Sequence, residues 1–330
     1  MLKYPLLNLM EKPPLALEDS LRAVGAELSA TLASIDKSVF DFQEFPVSFM
    51  GKAARARFTL LMAGALGSNR AKVEKAAAAA ELTHTASLLH DDCIDSAAYR
   101  RGLPSLNARL GVNASILVGD LVIALAFDCA GRAAPELQPE LVLAVKRMTE
   151  GALIEENSRG KKISAAEAEK IVSLKTGALF RWCALAACHL ARRPDLLEAC
   201  ARIGAETGSV FQVIDDVLDF EGDQAACGKE ILKDISEGKF TLPLLLALAD
   251  PAAGPKAEKL LEAMRSGPKE DMGPALQLAG LVKAGGFARA ARQGAAQRLK
   301  AACALADGLP EREGVIALKG FLLALGERRA

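Results

Sequence analysis

His84-Thr-Ala-Ser-Leu-Leu-His-Asp-Asp-Cys-Ile-Asp95 and Phe211-Gln-Val-Ile-Asp-Asp-Val-Leu-Asp219 place aspartates inside two apolar segments of the chain. We call these aspartates the first cluster (Asp91, Asp92 and Asp95) and the second cluster (Asp215, Asp216 and Asp219). In each cluster the first and third aspartates are four residues apart, so on a helix they share one face. The middle aspartate lies about 100° further around the axis. Both stretches therefore predict helices that carry acids on a mostly apolar surface.

Carboxylates held together among apolar side chains repel one another, and burial raises their pKa values unless a cation joins them. A solvated acidic face would explain one such cluster, but two clusters in apolar surroundings favour a metal site. Neither cluster has paired cysteines or histidines beside it, and hard oxygen ligands suit Mg²⁺ better than Zn²⁺. Because Mg²⁺ usually binds few carboxylates together with phosphate oxygens, the two clusters predict a polyphosphate between them.

Apolar residues recur with a spacing near 3.6 between breaks rich in proline and glycine. This period is typical of helices that bury one face. The clearest such segments are Ala71–Ile94, Val112–Gly131, Ala166–Leu190 and Leu197–Phe220. No segment alternates with period two for long enough to predict a sheet. We therefore predict an all-α fold in a single domain, residues 1–330, with charged loops at Ser96–Gly111 and Glu221–Gly238.

Composition narrows the classes of function. The 330 residues carry 41 basic and 41 acidic side chains, so no net charge attracts nucleic acid or an anionic membrane. The longest apolar stretch, 112–130, contains Asp120 and Asp128, which favours a buried core helix over a transmembrane segment. The seven cysteines have no paired spacing, as expected of reduced thiols. The first residues lack the apolar core of a signal peptide, so a cytoplasmic protein is expected.

Basic residues accompany the clusters and could bind the phosphate oxygens that metals leave free. They are Arg100 and Arg101 after the first cluster, Lys229, Lys233 and Lys239 after the second, Lys52, Arg55 and Arg57 nearer the N-terminus, and Lys175 beside Thr176. Any one of them alone would be explained as a solvated surface charge. Their association with the acids favours a diphosphate site.

Six motifs in this order make the chain similar to the trans-polyprenyl diphosphate synthases, most of all to the long-chain polyprenyl and octaprenyl types. Besides the two quoted stretches, they are Gly51-Lys-Ala-Ala-Arg55, Arg100-Arg-Gly-Leu-Pro104, Lys175-Thr-Gly-Ala-Leu-Phe180, and Gly228-Lys229 with Glu237-Gly-Lys-Phe-Thr-Leu-Pro243. The resemblance covers residues 45 to 245 or so, with a helical segment beyond. It implies a helical bundle of the isoprenoid synthase type around a central cavity. It also implies a homodimer that condenses an allylic diphosphate with isopentenyl diphosphate.

The resemblance assigns roles to individual residues. The catalytic set would be Asp91, Asp92, Asp95, Lys175, Asp215 and Asp216, and the magnesium ligands would be Asp91, Asp95, Asp215 and Asp219. The allylic diphosphate would be bound by Arg100, Lys175, Thr176, Gln212, Lys229 and Lys239, and isopentenyl diphosphate by Lys52, Arg55, His84 and Arg101. The family uses three Mg²⁺ ions per active site, for which Mn²⁺ can substitute.

Three positions depart from the family pattern: Ala56 replaces a frequent proline, Leu232 a frequent glycine, and Glu155 a usual glutamine. Glu155 would place negative charge near the allylic pocket. None of the three removes a metal ligand or a phosphate-binding residue.

Product length is expected to depend on the residues below the first cluster. Ala86 and Ser87 lie five and four positions before Asp91, about one helical turn away, and both are small. The first motif also lacks the two-residue insertion seen in many short-chain synthases. Both features favour a long-chain product over farnesyl diphosphate, although a floor formed lower down or by a partner subunit could still give geranylgeranyl diphosphate.

Two more distant alternatives are a class I terpene cyclase and a non-catalytic subunit of a heteromeric synthase. A cyclase would have a different second metal motif and no isopentenyl site. A subunit would tolerate the loss of aspartates, yet both clusters are complete.

Overall fold

The computed structural model describes residues 15–45, 47–68, 70–100, 102–221, 232–268 and 271–328, and these are mostly helical. The helices are α1 (Leu15–Leu32), α2 (Ala54–Leu66), α3 (Arg70–Ile94), α4 (Leu106–Leu110), α5 (Val112–Ala133), α6 (Leu137–Ser158), α7 (Ala165–Val172), α8 (Ala178–Leu190), α9 (Leu197–Glu221), α10 (Lys233–Ser236), α11 (Leu242–Ala249), α12 (Gly254–Ser266), α13 (Gly273–Ala284), α14 (Phe287–Ala306) and α15 (Arg312–Gly326). A π-helical turn (Ser173–Gly177) joins α7 to α8, and a 3-10 turn (Pro194–Leu196) precedes α9. The all-α prediction is confirmed.

The loop predicted at Ser96–Gly111 contains more structure than the sequence suggested. A short antiparallel ribbon, β1 (Tyr99–Arg100) and β2 (Leu103–Pro104), follows α3, and α4 comes directly after it. The ribbon is too short to show an alternating pattern in the sequence. Its effect is to turn the chain back so that Arg100 faces the first cluster.

α3 is the central helix of the bundle, and its middle consists of alanines. The residues from Ala76 to Ala80 are fully buried. Helices α1, α2, α5 and α8 pack around it. A helix that is buried on all sides needs small apolar side chains so that its neighbours can approach. Its C-terminal end carries the first cluster.

Glycines bring α6 and α9 against the π-helical turn. A Cβ added to Gly208 of α9 would lie 2.7 Å from the Cα of Gly177, and one added to Gly204 would lie 2.6 Å from the carbonyl oxygen of Phe180. A Cβ on Gly151 of α6 would lie 2.6 Å from the backbone nitrogen of Lys175. Any larger residue at these positions would push the helices apart, so the three glycines fix where the π-helical turn sits.

Two helical segments, Val112–Ala133 and Ala165–Leu190, are long and apolar enough to cross a membrane by length and composition alone. The second is mostly buried inside the bundle, as a core helix is. The first, α5, packs one face against α3, where His90 Nε2 lies 3.3 Å from the carbonyl oxygen of Ile116. Its other face exposes apolar side chains, including Leu117.

Candidate active site

The first cluster lies at the end of α3. Asp91 and Asp92 are in the last helical turn, and the backbone N–H of Asp95 still donates to the carbonyl oxygen of Asp91 (2.8 Å). The carboxylate of Asp92 is only 2% exposed and accepts a hydrogen bond from Arg100 Nε (2.8 Å). Asp95 accepts a hydrogen bond from the guanidinium of Arg159, which follows α6. Each acid of this cluster thus faces a different part of the surrounding chain.

Burial and neighbouring cations shift the pKa values of the first cluster in opposite directions. Burial raises the pKa of Asp91, and the nearby charge of Lys175 offsets this only in part. Burial would also raise the pKa of Asp95, but the hydrogen bond from Arg159 and the charge of Lys239 bring it below its usual value. Of these two acids, Asp91 is therefore the one whose ionised form an added cation would stabilise more.

The π-helical turn places two residues between the clusters. The ammonium of Lys175 lies 2.5 Å from Glu155 Oε2 and 3.9 Å from Asp91 Oδ1. The hydroxyl of Thr176 donates to Gln212 Oε1 (2.8 Å) on α9. Single π-helical turns often occur at functional sites, because the extra residue redirects the side chains. Here the turn directs Lys175 towards α3 and Thr176 towards α9.

The second cluster, like the first, combines one nearly buried acid with two that are partly exposed. Asp216 is almost fully buried, accepts a hydrogen bond from Gln212 Nε2 (2.9 Å), and has a pKa that burial raises well above its usual value. Asp215 is half-buried, and its Oδ1 lies 2.7 Å from Nη2 of Arg328. Burial also raises the pKa of Asp219. An excess of buried acid remains here that a divalent cation could stabilise.

Asp219 also holds the short helix α10 in place. Its two carboxylate oxygens accept the backbone N–H groups of Lys233 and Asp234 (3.2 Å each), at the positive end of that helix. Just before it, Leu232 has a φ of 63°, a left-handed conformation that favours glycine. Leu232 is nevertheless buried, so the favourable packing of its side chain offsets the strain in its backbone. This accounts for a leucine where the family often has glycine.

The segment after α10 adds a further lysine and a titratable acid. Lys239 Nζ lies 2.6 Å from Glu237 and 3.8 Å from Asp234. Burial, together with the charge of Asp219, raises the pKa of Asp234 to about 7. Burial would lower the pKa of Lys239, but the charges of Glu155 and Asp234 raise it overall, so this lysine stays protonated.

Charged residues near the two clusters connect them electrostatically. Burial raises the pKa of Asp91, and the positive charge of Lys239 lowers it. Burial likewise raises the pKa of Asp234, and the charge of Lys239 lowers it. The charge of Glu155 adds to the raised pKa of both Asp91 and Asp216, after burial as the main cause. Glu155 is therefore close enough to act on aspartates of both α3 and α9, while Lys175 and Lys239 act on Asp91.

A second group of predicted residues lies around two phenylalanines. The guanidinium of Arg55 is buried and lies 5.2 Å from the ring centre of Phe180 and 5.8 Å from that of Phe211. Arg328 contacts the Phe211 ring as well, at 4.7 Å. All three distances are within the range of cation–π interactions. The structure thus places Arg55 on α2 close to α8, which follows the π-helical turn, and to α9, which carries the second cluster.

The remaining predicted residues lie on α3, just before α2, or outside the described residues. Lys52 is exposed just before α2, and His84 is half-buried on α3. Ala86 is buried and Ser87 half-buried, with the Ser87 hydroxyl donating to the carbonyl oxygen of His84 (2.8 Å). Arg101 and Lys229 lie outside the described residues.

Ala56, where the family often has proline, uses its backbone N–H. This group donates to the buried carboxylate of Glu81 (2.8 Å) on α3. A proline at this position has no N–H and could not make the bond. The bond ties the start of α2, which carries Arg55, to α3.

The structure adds site residues that sequence reasoning missed: Arg159 on Asp95, Arg328 on Asp215, and the buried acid Asp234. None of the three stands in a cluster or in a glycine-rich motif. The partners of Arg159 and Arg328 are distant in sequence, so only the folded chain reveals these two pairs.

The donor set fits magnesium. Among the described residues, no three His, Cys, Asp or Glu side chains converge closely enough to form a metal cage by themselves. The acids of the two clusters instead occur singly or in pairs, all with hard oxygen atoms. Mg²⁺ is usually bound in this way, by one or two carboxylates, with substrate phosphates and water completing its coordination.

Comparison with known proteins yields consistent relatives. The family described as polyprenyl synthetase matches residues 41–278. The chain is similar to the nonaprenyl diphosphate synthase of Mycobacterium tuberculosis, with 33% identity over 83% of each chain. It is also similar to the octaprenyl diphosphate synthase of Haemophilus influenzae, with 32% identity over 82% of this chain and 83% of that one. The crystal structure of a polyprenyl synthase from Caulobacter crescentus, complexed with calcium and isoprenyl diphosphate, superposes with a TM-score of 0.88, at 27% identity and with complete coverage of both chains.

Proposed function

Because the chain belongs to the polyprenyl synthetase family, we propose that it is a prenyltransferase of isoprenoid biosynthesis that condenses an allylic prenyl diphosphate with isopentenyl diphosphate, head to tail. The product is a long-chain all-trans polyprenyl diphosphate. The observation that carries this proposal is that Glu155, which pairs with Lys175, acts on aspartates of both clusters, with Lys239 acting on Asp91 as well. This arrangement suits a diphosphate that has metal ions on either side.

In this proposal Asp91 and Asp95 hold magnesium on one side of the diphosphate, and Asp215 and Asp219 on the other. Three Mg²⁺ ions occupy the site, and Mn²⁺ can replace them. When bound, these ions neutralise the charge that develops on the departing diphosphate. The buried acids with raised pKa values, Asp91 and Asp219, support this assignment.

The chain's own cations orient the allylic diphosphate. Lys175 lies beside Asp91, Lys239 lies near Asp234, and Arg100 is hydrogen-bonded to Asp92. Thr176 and Gln212 form the wall between α8 and α9. Asp92 and Asp216 belong to the proposed catalytic set, and because both are buried and hydrogen-bonded, they also fix the positions of Arg100 and Gln212.

Isopentenyl diphosphate binds beside this site, at Lys52, Arg55, His84 and Arg101. The support comes from Arg55, whose buried guanidinium lies against Phe180 and Phe211. These rings also form an apolar wall that excludes water from the allylic cation until the double bond of isopentenyl diphosphate attacks it.

The names of the relatives and the residues below the first cluster support a long product. Both sequence relatives cited above make octaprenyl or nonaprenyl chains by name. Ala86 and Ser87 are small and leave room for a growing chain one turn below the metals. Geranylgeranyl or farnesyl diphosphate remains the alternative product. The complete second cluster and the buried Arg55 count against a terpene cyclase or a non-catalytic subunit.

We also propose a single-domain, cytoplasmic homodimer. One contiguous hydrophobic core runs through the described helices and supports the single domain. Helices α5 and α6 expose apolar side chains on one surface of the monomer, which suits burial against a second copy. These side chains are Ile116, Leu117, Val142, Leu143 and Leu153. The six described cysteines are free thiols, as in a reducing compartment.

The test is incubation of the protein with Mg²⁺, isopentenyl diphosphate and allylic primers of several lengths, with product length read by mass spectrometry. We expect chains longer than farnesyl diphosphate. Asp91→Ala and Asp215→Ala should each greatly reduce turnover while the helical circular dichroism signal persists. Failure to condense any primer would rule out the proposed activity, and near-normal rates in the variants would rule out the assigned roles.

A further inference from the structure

The described aspartates of both clusters already have partners within the chain. Lys175 lies beside Asp91, Arg100 on Asp92, Arg159 on Asp95, Arg328 on Asp215, Gln212 on Asp216, and two backbone N–H groups on Asp219. Of the arginines among these partners, Arg159 and Arg328 each pair with a carboxylate proposed to hold magnesium, and neither belongs to the motifs that carry the family resemblance.

Arg159 is held in position by its own backbone. It follows the last residue of α6, and the next residue, Gly160, donates its N–H to the carbonyl oxygen of Gly238 (2.9 Å). Arg265 Nη2 donates to the carbonyl oxygen of Gly160 (2.6 Å). Asp95 is largely removed from water, and a carboxylate in such a place needs a counter-charge. Arg159 supplies that charge while no metal is bound.

Arg328 is fixed by a second arginine. Arg292 Nη1 of α14 donates to the carbonyl oxygens of Gly326 and Arg328 (3.0 Å each), and its Nη2 donates to Glu221 Oε2 (2.7 Å) at the end of α9. The segment after α15 is thereby held against the helix that carries the second cluster. The guanidinium of Arg328 can then reach Asp215.

One nitrogen of Arg328 is buried without a partner. The side chain is only 8% exposed, and its Nη1 atom makes no hydrogen bond with any described residue. Buried donors of charged groups are nearly always hydrogen-bonded, so an unused one at a site indicates a missing ligand. For a guanidinium this ligand is an anion, and phosphate oxygens match its geometry.

We propose that Arg159 and Arg328 are resting counterions of the metal site. Each neutralises a metal-binding carboxylate, Asp95 or Asp215, until metal and diphosphate enter together, and each then transfers its hydrogen bonds to phosphate oxygens. This inference rests on the proposed function, since it takes these two carboxylates as metal ligands. A guanidinium and a metal ion compete for the same oxygens, so metal alone binds weakly. The diphosphate gives the displaced guanidinium a new partner, which makes the two ligands bind cooperatively.

The test measures Mn²⁺ binding without turnover, by electron paramagnetic resonance of the free ion. Without diphosphate, Arg159→Gln and Arg328→Gln should each bind Mn²⁺ roughly three- to tenfold more tightly, because the competing charge is gone. With inorganic diphosphate present, the gain should disappear or reverse. Arg193→Gln, which breaks an exposed pair with Asp195 elsewhere, is the matched control and should leave Mn²⁺ affinity unchanged.

The outcomes separate the inference from the proposed function. If the wild-type protein does not bind Mn²⁺ together with diphosphate, the proposed function fails. If it does, but the variants bind Mn²⁺ alone no more tightly than wild type, the counterion role fails and the arginines only orient the carboxylates. Arg159→Lys and Arg328→Lys keep the charge and should fold even if the glutamine variants do not. Because the competing charge remains, they should show little or no gain in Mn²⁺ affinity, and a gain as large as that expected of the glutamine variants would overturn the proposal.

Discussion

Glu155→Gln is the most informative single change to the allylic site. Glu155 Oε2 lies 2.5 Å from the ammonium of Lys175, and both side chains are largely buried. The same ammonium lies 3.9 Å from Asp91 and is proposed to bind the allylic diphosphate. While the carboxylate of Glu155 is paired with this ammonium, the positive charge of Lys175 is only partly available to the diphosphate. Glutamine keeps the shape and an accepting oxygen but removes the negative charge.

The expected gain follows from the hydrogen bond that is weakened. A hydrogen bond to a charged group contributes about 1.5–3 kcal/mol, and glutamine retains the weaker neutral form of the bond. Removing a negative charge beside a polyanion acts in the same direction. We therefore expect the allylic diphosphate to bind about 1–2 kcal/mol more tightly, which is roughly a five- to thirtyfold lower Kd.

The protonation of Lys175 does not reverse this expectation. Burial would lower the pKa of Lys175, but the charges of Asp91 and Glu155 raise it above its usual value. The variant loses the contributions of Glu155 to this raised pKa and keeps that of Asp91. Lys175 therefore remains the cation that the diphosphate meets.

The assay is titration calorimetry with an unreactive thiolo-diphosphate analogue of an allylic substrate, in the presence of Mg²⁺. Glu150→Gln is the control, because Glu150 also lies on α6 and pairs with a lysine, Lys146, but on the surface (3.7 Å). It should leave the Kd unchanged. Unchanged or weaker binding by Glu155→Gln would refute the reasoning, and a loss of affinity would instead identify Glu155 as part of the metal site.

Three further predictions test the floor of the cavity, the buried acids and the strained turn. Ser87→Phe should shorten the main product, read by mass spectrometry, and an unchanged length would place the floor elsewhere. Asp234 has a pKa of about 7 in the fold against about 3.9 unfolded, so the folded state binds the extra proton between those values. The free energy of unfolding of the metal-free protein should therefore fall as pH rises from about 4 to about 7. Asp234→Asn should flatten this pH dependence in urea titrations, and an unchanged dependence would mean that other groups cause it. Leu232→Gly removes the backbone strain of a left-handed residue, which stabilises the fold by about 1–2 kcal/mol, but it also removes a buried side chain, which destabilises it by about 1.5–3 kcal/mol. We expect a net destabilisation of about 1 kcal/mol, and a gain in stability would show that the strain dominates.

Local patterns predicted the helices that carry the chemistry. The periodic segments Ala71–Ile94 and Leu197–Phe220 correspond to α3 and α9 within one residue at each end. This succeeded because a long apolar period is a local signal. The acids within those segments stood out for the same reason, since few other charges interrupt them.

The π-helical turn could not be predicted in the same way. The sequence indicated one helix over Ala166–Leu190, whereas the structure inserts Ser173–Gly177 in its middle. The turn depends on how closely α6 and α9 approach, and hence on Gly151 and Gly208. Their spacing to Lys175 in the sequence carries no sign of that contact. The direction of the Lys175 side chain is therefore a tertiary property.

The ion pairs of the site show why stability and function are linked here. Buried acids such as Asp92 and Asp95 would destabilise the fold if they were left unpaired. The chain therefore pairs them with cations such as Arg100 and Arg159 before any metal binds. A diphosphate needs cations at the same places once metals are bound. The same basic side chains can meet both requirements in turn, and the fold then needs no preformed metal cage. The zero net charge of the chain is compatible with this local exchange of partners, because a basic site can form without a basic protein.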